Sequence, residues 1–215
     1  MSPRTKGYPY DGPHGQIQMH SSWEVKVARI FDDLGLTWTY EPELFRTSAG
    51  GYVPDFWIEE AQCFVEVKGY ATSYALGKLT AFVAENPDKE LLVIRDIGFI
   101  GMVFMVQRIY QLCLGIKYNG LTDAMRIEHI RRNVLRMYQE VGELLEATPW
   151  KWHRVYDNDS IDTDNLAEEF GDLFVFALNI LAVAGLQESD IMAAVHGVHL
   201  KNFARLREGT NKKEM

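Results

Sequence analysis

The sequence predicts an α+β protein in two parts, an N-terminal segment of order αβββαβ followed by an all-α helical bundle. Up to about residue 96, short apolar runs alternating with a period of two are interleaved with helical stripes. From about residue 102 strand signals fade and the apolar pattern becomes helical throughout. No Ser/Gly-rich linker separates the two regimes, so the boundary is expected near residues 97–106, giving parts 1–101 and 102–215.

The first ten or so residues, rich in Gly, Pro and Tyr, read as a loose arm. "SSWEVKVARIFDDLG" reads as a helix. Ser21 or Ser22 caps it, Trp23, Val27, Ile30, Phe31 and Leu34 form its apolar stripe, and Gly35 stops it. "TWTYE" is a short strand and "SAGG" a turn. "YVPDFWI" and "CFVEVKGY" are β-rich runs parted by "EEAQ" and form a hairpin. "SYALGKLTAFVAE" is a helix ended by "NPD", and "ELLVIRDI" is a buried strand. In the second part "MVFMVQRIYQLCL" opens the helices. A long helix follows from "TDAMRIEHI" to "GELLEA", capped by Thr122 or Asp123. After a loop comes "NLAEEFGDLFVFALNILAVAG", then a last helix from "QESDIMAAV" onward with Ser189 as its cap, and a frayed tail "TNKKEM".

With 215 residues, 47% of them hydrophobic, the chain can bury one large core or two small ones. The net charge is −8, spread over both parts: residues 1–105 hold 9 Lys+Arg against 14 Asp+Glu. Neither part is a broad basic platform for nucleic acid. No N-terminal signal segment is evident, and the longest apolar run, Leu173 to Ala184, is too short to span a bilayer. A cytosolic protein without membrane contact is expected. Cys63 and Cys113, far apart in apolar surroundings, are expected as two buried reduced thiols rather than a disulfide or zinc site.

Residues three apart on a helix share a face, so Glu140 and Glu143 point together, as do Glu169 and Asp172 on the next long helix. One such pair is ordinary on a solvated face. Here Asp172 leads into a helix apolar on nearly every side, where acids are costly unless paired or metal-bound. Two antiparallel helices would bring four carboxylates together. A hard divalent cation, Mg²⁺ or alternatively Mn²⁺, would relieve their repulsion. Glu146 lies one turn on. Trp150, Lys151 and Trp152 follow, fitted either to pack the loop or to stack a base beside its phosphates. Asn179, in the apolar run, needs a partner, which a nucleobase edge or a neighbouring helix would supply.

The spacing E-x-x-E, 25 residues, then E-x-x-D resembles the all-α nucleoside triphosphate pyrophosphohydrolases, the MazG-like and dimeric dUTPase-like enzymes. "ELLEATPWKW" and "LKNFARLREG" are similar to flanking stretches of those domains, over roughly residues 102–210. No Tyr follows the last basic stretch as it usually does in the dUTPase-like branch, so the resemblance leaves the base open. It implies Mg²⁺-dependent cleavage of a nucleoside triphosphate, expected to be a deoxynucleotide, to monophosphate and pyrophosphate. Glu140, Glu143, Glu169 and Asp172 would hold metal, and Glu143 would take the proton of the attacking water. Lys201, Asn202 and Arg205 would bind phosphate from a last helix folded back over the site. It also implies a homodimer or homotetramer.

In the first part, Pro54-Asp55 precedes Glu66-Val67-Lys68 by about ten residues, and strand alternation sends Glu66 and Lys68 to one face. By itself E-x-K is common. Within the order αβββαβ, and with Glu24 on the first helix, the segment 20–96 resembles the PD-(D/E)XK nuclease superfamily. The resemblance implies a restriction-endonuclease-like core. Glu24, Asp55 and Glu66 would hold Mg²⁺, Lys68 would sit beside the attacking water, Lys78 would touch a phosphate or solvent, and DNA would be a partner. The acidity of this part opposes tight DNA binding. Two other readings stay open: an endonuclease whose helical part only dimerises or senses nucleotide, and a non-catalytic nucleic-acid-binding adaptor. The pairing of nucleotide clearance with DNA cutting fits a phage or mobile-element setting.

Overall fold

The chain divides into two compact units, residues 1–121 and 122–215. The computed structural model describes residues 7–69, 72–150 and 161–207. Among these, every strand lies in the first unit and the second is helical. Lys151, Trp152 and the expected frayed tail lie outside the described residues.

The first unit opens with an antiparallel hairpin, β1 (Tyr8–Gly12) and β2 (Gly15–Met19), where a loose arm was expected. Gly15 supplies the positive φ of the turn. Burial explains the order: Tyr10 and Met19 are fully enclosed. The Tyr10 hydroxyl donates to Asp32 Oδ2 at 2.7 Å, while Trp38 Nε1 donates to Asp32 Oδ1 at 2.9 Å. Composition signalled irregularity here, but side-chain burial against the following helix decided otherwise.

That helix is α1 (Ser22–Asp33). Ser21 is its N-cap, accepting from the Glu24 N–H at 3.2 Å, and Gly35, at φ +67, ends it as expected. Its buried stripe is Glu24, Val27, Ala28 and Phe31; Leu34, expected in the stripe, is exposed. Next come β3 (Trp38–Tyr40) and a separate two-stranded hairpin of β4 (Phe45–Thr47) and β5 (Gly50–Tyr52). Then follow β6 (Phe56–Ile58), β7 (Cys63–Val67), α2 (Ser73–Glu85) and β8 (Glu90–Ile94). The main sheet has the order β3-β6-β7-β8; its first three strands are antiparallel, and β8 joins β7 in parallel after the α2 crossover. The single strand expected over "YVPDFWI" is two. Pro54 has no N–H to donate, and the break gives Tyr52 to β5 and Phe56 to β6. The expected αβββαβ order thus survives as α1-β3-β6-β7-α2-β8, with β4–β5 inserted.

Alternation divides the sheet's side chains between two cores. Phe56 meets Phe31 of α1, ring centroids 5.4 Å apart. On the other face Phe64 packs with Phe45, Tyr52 and Phe82 of α2. A further helix, α3 (Phe99–Cys113), buries Met102, Phe104, Met105, Ile109 and Leu112 and packs beside β8. The unit boundary is therefore at 121/122 rather than 101/102. A helical period shows that a helix needs a core, not which core it joins. Cys63 is buried and Cys113, contrary to expectation, is exposed; both thiols are free.

The second unit contains α4 (Asp123–Glu146), α5 (Thr163–Val183) and α6 (Glu188–Arg207). Thr122 caps α4, accepting from the Met125 N–H at 3.3 Å. Ser189, the expected cap of α6, lies inside the helix; the Gln187 N–H donates to Asp190 Oδ2 at 2.8 Å at its start instead. Helices α4 and α5 run antiparallel in a register read from three pairs. Arg126 Nη1 donates to the Val183 carbonyl, Asn179 Nδ2 donates to Asn133 Oδ1 at 3.3 Å, and the Arg136 guanidinium lies 5.6 Å from the Phe176 ring centre. The chain turns by 116° between α5 and α6. Among the described residues no single helix is long and apolar enough to cross a membrane.

Candidate functional sites

In the first unit the β6–β7 register builds the site. Phe56 pairs with Val65, so Asp55, one residue earlier, falls level with Glu66, one residue later. Both side chains turn to the α2 face of the sheet, where alternation also places Lys68. Asp55 Oδ2 accepts the Val67 N–H at 2.7 Å. Glu66, 1% exposed, accepts the Tyr52 hydroxyl on Oε2 at 2.8 Å and pairs through Oε1 with Lys68 Nζ. Glu24, also buried, accepts from the His20 N–H at 2.9 Å, the Ser21 hydroxyl at 2.6 Å and the Tyr40 hydroxyl at 2.7 Å.

Three buried acids thus stand against one lysine, and the charge imbalance appears in the protonation of Asp55. Burial pushes the Asp55 carboxyl up to about 8 and the charge of Glu66 adds to this. The Val67 N–H works against the rise, Glu24 raises Asp55 a little further, and Lys68 offsets it slightly. Lys68 itself is pulled down by burial, but its hydrogen bond to Glu66 and the charges of Glu66, Asp55 and Glu24 win, so its ammonium is held above the ordinary range. The donor set is carboxylate oxygen, buried and short of positive charge, which fits a hard divalent cation. Asp55 has the freer geometry for it, held by one donor, whereas Glu66 is engaged on both oxygens and Glu24 is tied by three donors. Tyr40 and Tyr52, which hold two of the motif acids, were missed in the sequence reading. Neither has a spacing signal, because each reaches its acid through the tertiary fold. Lys78 of α2 lies over its own helix's Tyr74, 4.7 Å from the ring centre.

In the second unit, Glu140, Glu143 and Glu169 each offer a carboxylate oxygen within 4.8 Å of the others. The antiparallel register explains it. With Asn133 beside Asn179 and Arg136 beside Phe176, Glu143 and Glu140 come level with Glu169 and Asp172. Glu140 and Glu169 are half-buried and Glu143 is exposed. Glu169 is raised above the ordinary carboxyl range, by desolvation first and then by Glu143, Glu140, Glu168 and Asp172. Asp172 is thus within electrostatic reach but outside the tight trio, and it is exposed. The trio's chemistry also suits Mg²⁺ or Mn²⁺.

The remaining residues are less gathered. Trp150 stands just beyond α4 and is 46% exposed. Lys201, Asn202 and Arg205 lie along the last turns of α6, all exposed. Asn179 is buried and bonded to Asn133 of the neighbouring helix, the second of the two partners foreseen for it. Comparisons with protein-family models, with curated proteins and with solved structures yield no match to this chain.

Proposed function

We propose that the second unit is a divalent-metal-dependent nucleoside triphosphate pyrophosphohydrolase. The observation that carries this reading is the approach of Glu140, Glu143 and Glu169, from two helices, to within 4.8 Å of one another. Unscreened acids at that distance repel, and the arrangement makes sense when a cation is shared among them. Glu140 and Glu169, with Asp172 beside them, would hold Mg²⁺. The ion would supply charge neutralisation for the triphosphate and acidify a bound water. Glu143, the most exposed of the trio, would accept the proton of the attacking water as its oxygen bonds to the α phosphorus and the bridging oxygen leaves with pyrophosphate. Trp150 would offer a surface for a base, and Lys201, Asn202 and Arg205 would offer donors for phosphate oxygens. Glu143→Ala, at an exposed site, should leave the fold intact and lower pyrophosphate release by about 100-fold or more. Wild-type release from the folded variant would remove the assignment.

A second reading, for the first unit, is favoured by a separate observation: buried Asp55 and Glu66 beside the half-buried Lys68, where burial and neighbouring negative charge leave room for a cation. We infer metal-dependent phosphodiester hydrolysis of nucleic acid there, with Asp55 and Glu66 as ligands and Lys68 beside the attacked phosphate. Asp55→Ala should abolish Mg²⁺-dependent cleavage of a labelled DNA substrate. Equal cleavage by variant and wild type would exclude it.

A further inference from the structure

Beside Lys68 the sheet opens into a cavity of about 180 Å³. Its basic lining comes from two adjacent strands. Strands β7 and β8 run parallel with Val67 level with Ile94, and the Lys68 N–H donates to the Ile94 carbonyl at 2.8 Å. Lys68 therefore lies level with Arg95. Neighbours in register on parallel strands face the same side, and both side chains line the cavity, together with Val93. Leu76 and Leu79 of α2 form the apolar wall. Arg95 lies outside the Asp55, Glu66 and Lys68 pattern, yet it stands one strand from the lysine that pairs with Glu66.

We propose that this cavity is a phosphate subsite for a single polynucleotide strand, in which Arg95 holds the phosphate next to the one presented to Asp55, Glu66 and Lys68. The inference rests on the nuclease reading of the first unit. Adjacent strands lie about 5 Å apart, so two long cationic side chains rooted there can engage successive phosphates of one chain. The guanidinium fork suits a phosphodiester that must be held but not attacked. The walls of Leu76, Leu79 and Val93 present no base-reading donors, so the contact is to backbone and sugar. A space this small accepts one phosphate with its sugar and excludes a duplex. It also answers the acidity of residues 1–105: two of the 9 basic residues are brought side by side at the acids, so the polyanion needs no broad basic face.

The test is fluorescence anisotropy of a labelled single-stranded oligothymidylate with the full chain, Ca²⁺ replacing Mg²⁺. Arg95→Ala should weaken binding about tenfold and reduce the salt-dependence slope by about one, and Arg95→Lys should recover part of both. Thermal melting of the same variants separates a lost phosphate contact from a loss of fold. Arg95→Ala binding with wild-type affinity and slope overturns the subsite, as does a wild type that binds no oligonucleotide. A duplex competing as well as the single strand overturns the single-strand assignment. Cleavage with Mg²⁺, assayed on the same samples, separates the two readings. Cleavage abolished by Asp55→Ala alongside unaltered Arg95→Ala binding sinks the subsite alone. Weakened Arg95→Ala binding without any Asp55-dependent cleavage sinks the nuclease reading and keeps the subsite.

Discussion

Replacing Asp55 by Asn tests the charge imbalance at the first unit's site without involving catalysis. An amide has nearly the shape of the protonated carboxyl and can still accept the Val67 N–H that Asp55 holds at 2.7 Å, but it cannot ionise. The Asp55 carboxyl is raised from an ordinary 3.8 to about 8, by burial first and by Glu66 next. A raised acid binds its proton more tightly folded than unfolded. Stability is therefore lost as pH climbs from the unfolded value to the folded one, and is level above it. Each pH unit in that window costs about 1.4 kcal/mol. Between about pH 5 and about pH 8 the wild type should therefore lose up to about 4 kcal/mol relative to Asp55→Asn. Urea unfolding in the absence of divalent metal, followed by tryptophan fluorescence, measures this, because Trp23, Trp38 and Trp57 all lie in the first unit. Added Mg²⁺ should narrow the gap at the upper pH, since a cation would take the place of the proton. A wild-type-to-variant difference that stays flat from about pH 5 to about pH 8 would mean that Asp55 is ionised throughout. The site would then lack no positive charge.

Two further outcomes are expected. Asn179→Ala should destabilise the second unit by about 1–3 kcal/mol, because it deletes a buried amide and leaves Asn133 without that contact; chemical denaturation followed by helical circular dichroism reads it. Light scattering should give a mass of two or more chains. Helix α4 buries no residue within one chain, and Val195, Val198, Phe203 and Leu206 of α6 are exposed, so a second copy is the simplest cover. A single-chain mass would refute that.

The elements were legible where local chemistry settles them. Ser21 and Thr122 cap their helices, Gly35 ends α1, and the span of α2 is the one its period predicts. The acid spacings also suffice to say which carboxylates share a face, because helical and strand periods are properties of the backbone. Composition misled where burial overrode it: the Gly- and Tyr-rich start is a hairpin anchored by Tyr10 on Asp32. The compact units part at 121/122 because α3, apolar enough for either core, packs beside β8.

What the sequence determined alone is therefore the inventory: two structural regimes, a helix pair bearing acids in step, and a strand pair bearing Asp55, Glu66 and Lys68. Only the tertiary structure decided the partners. It placed the Tyr52 hydroxyl on Glu66, the Tyr40 hydroxyl on Glu24, and Arg95 level with Lys68. It also drew Glu140, Glu143 and Glu169 into a tight trio while leaving Asp172 at its margin. The reason is physical: periodicity acts within a few residues, whereas these pairings are set by strand register and by helix packing across long stretches of chain.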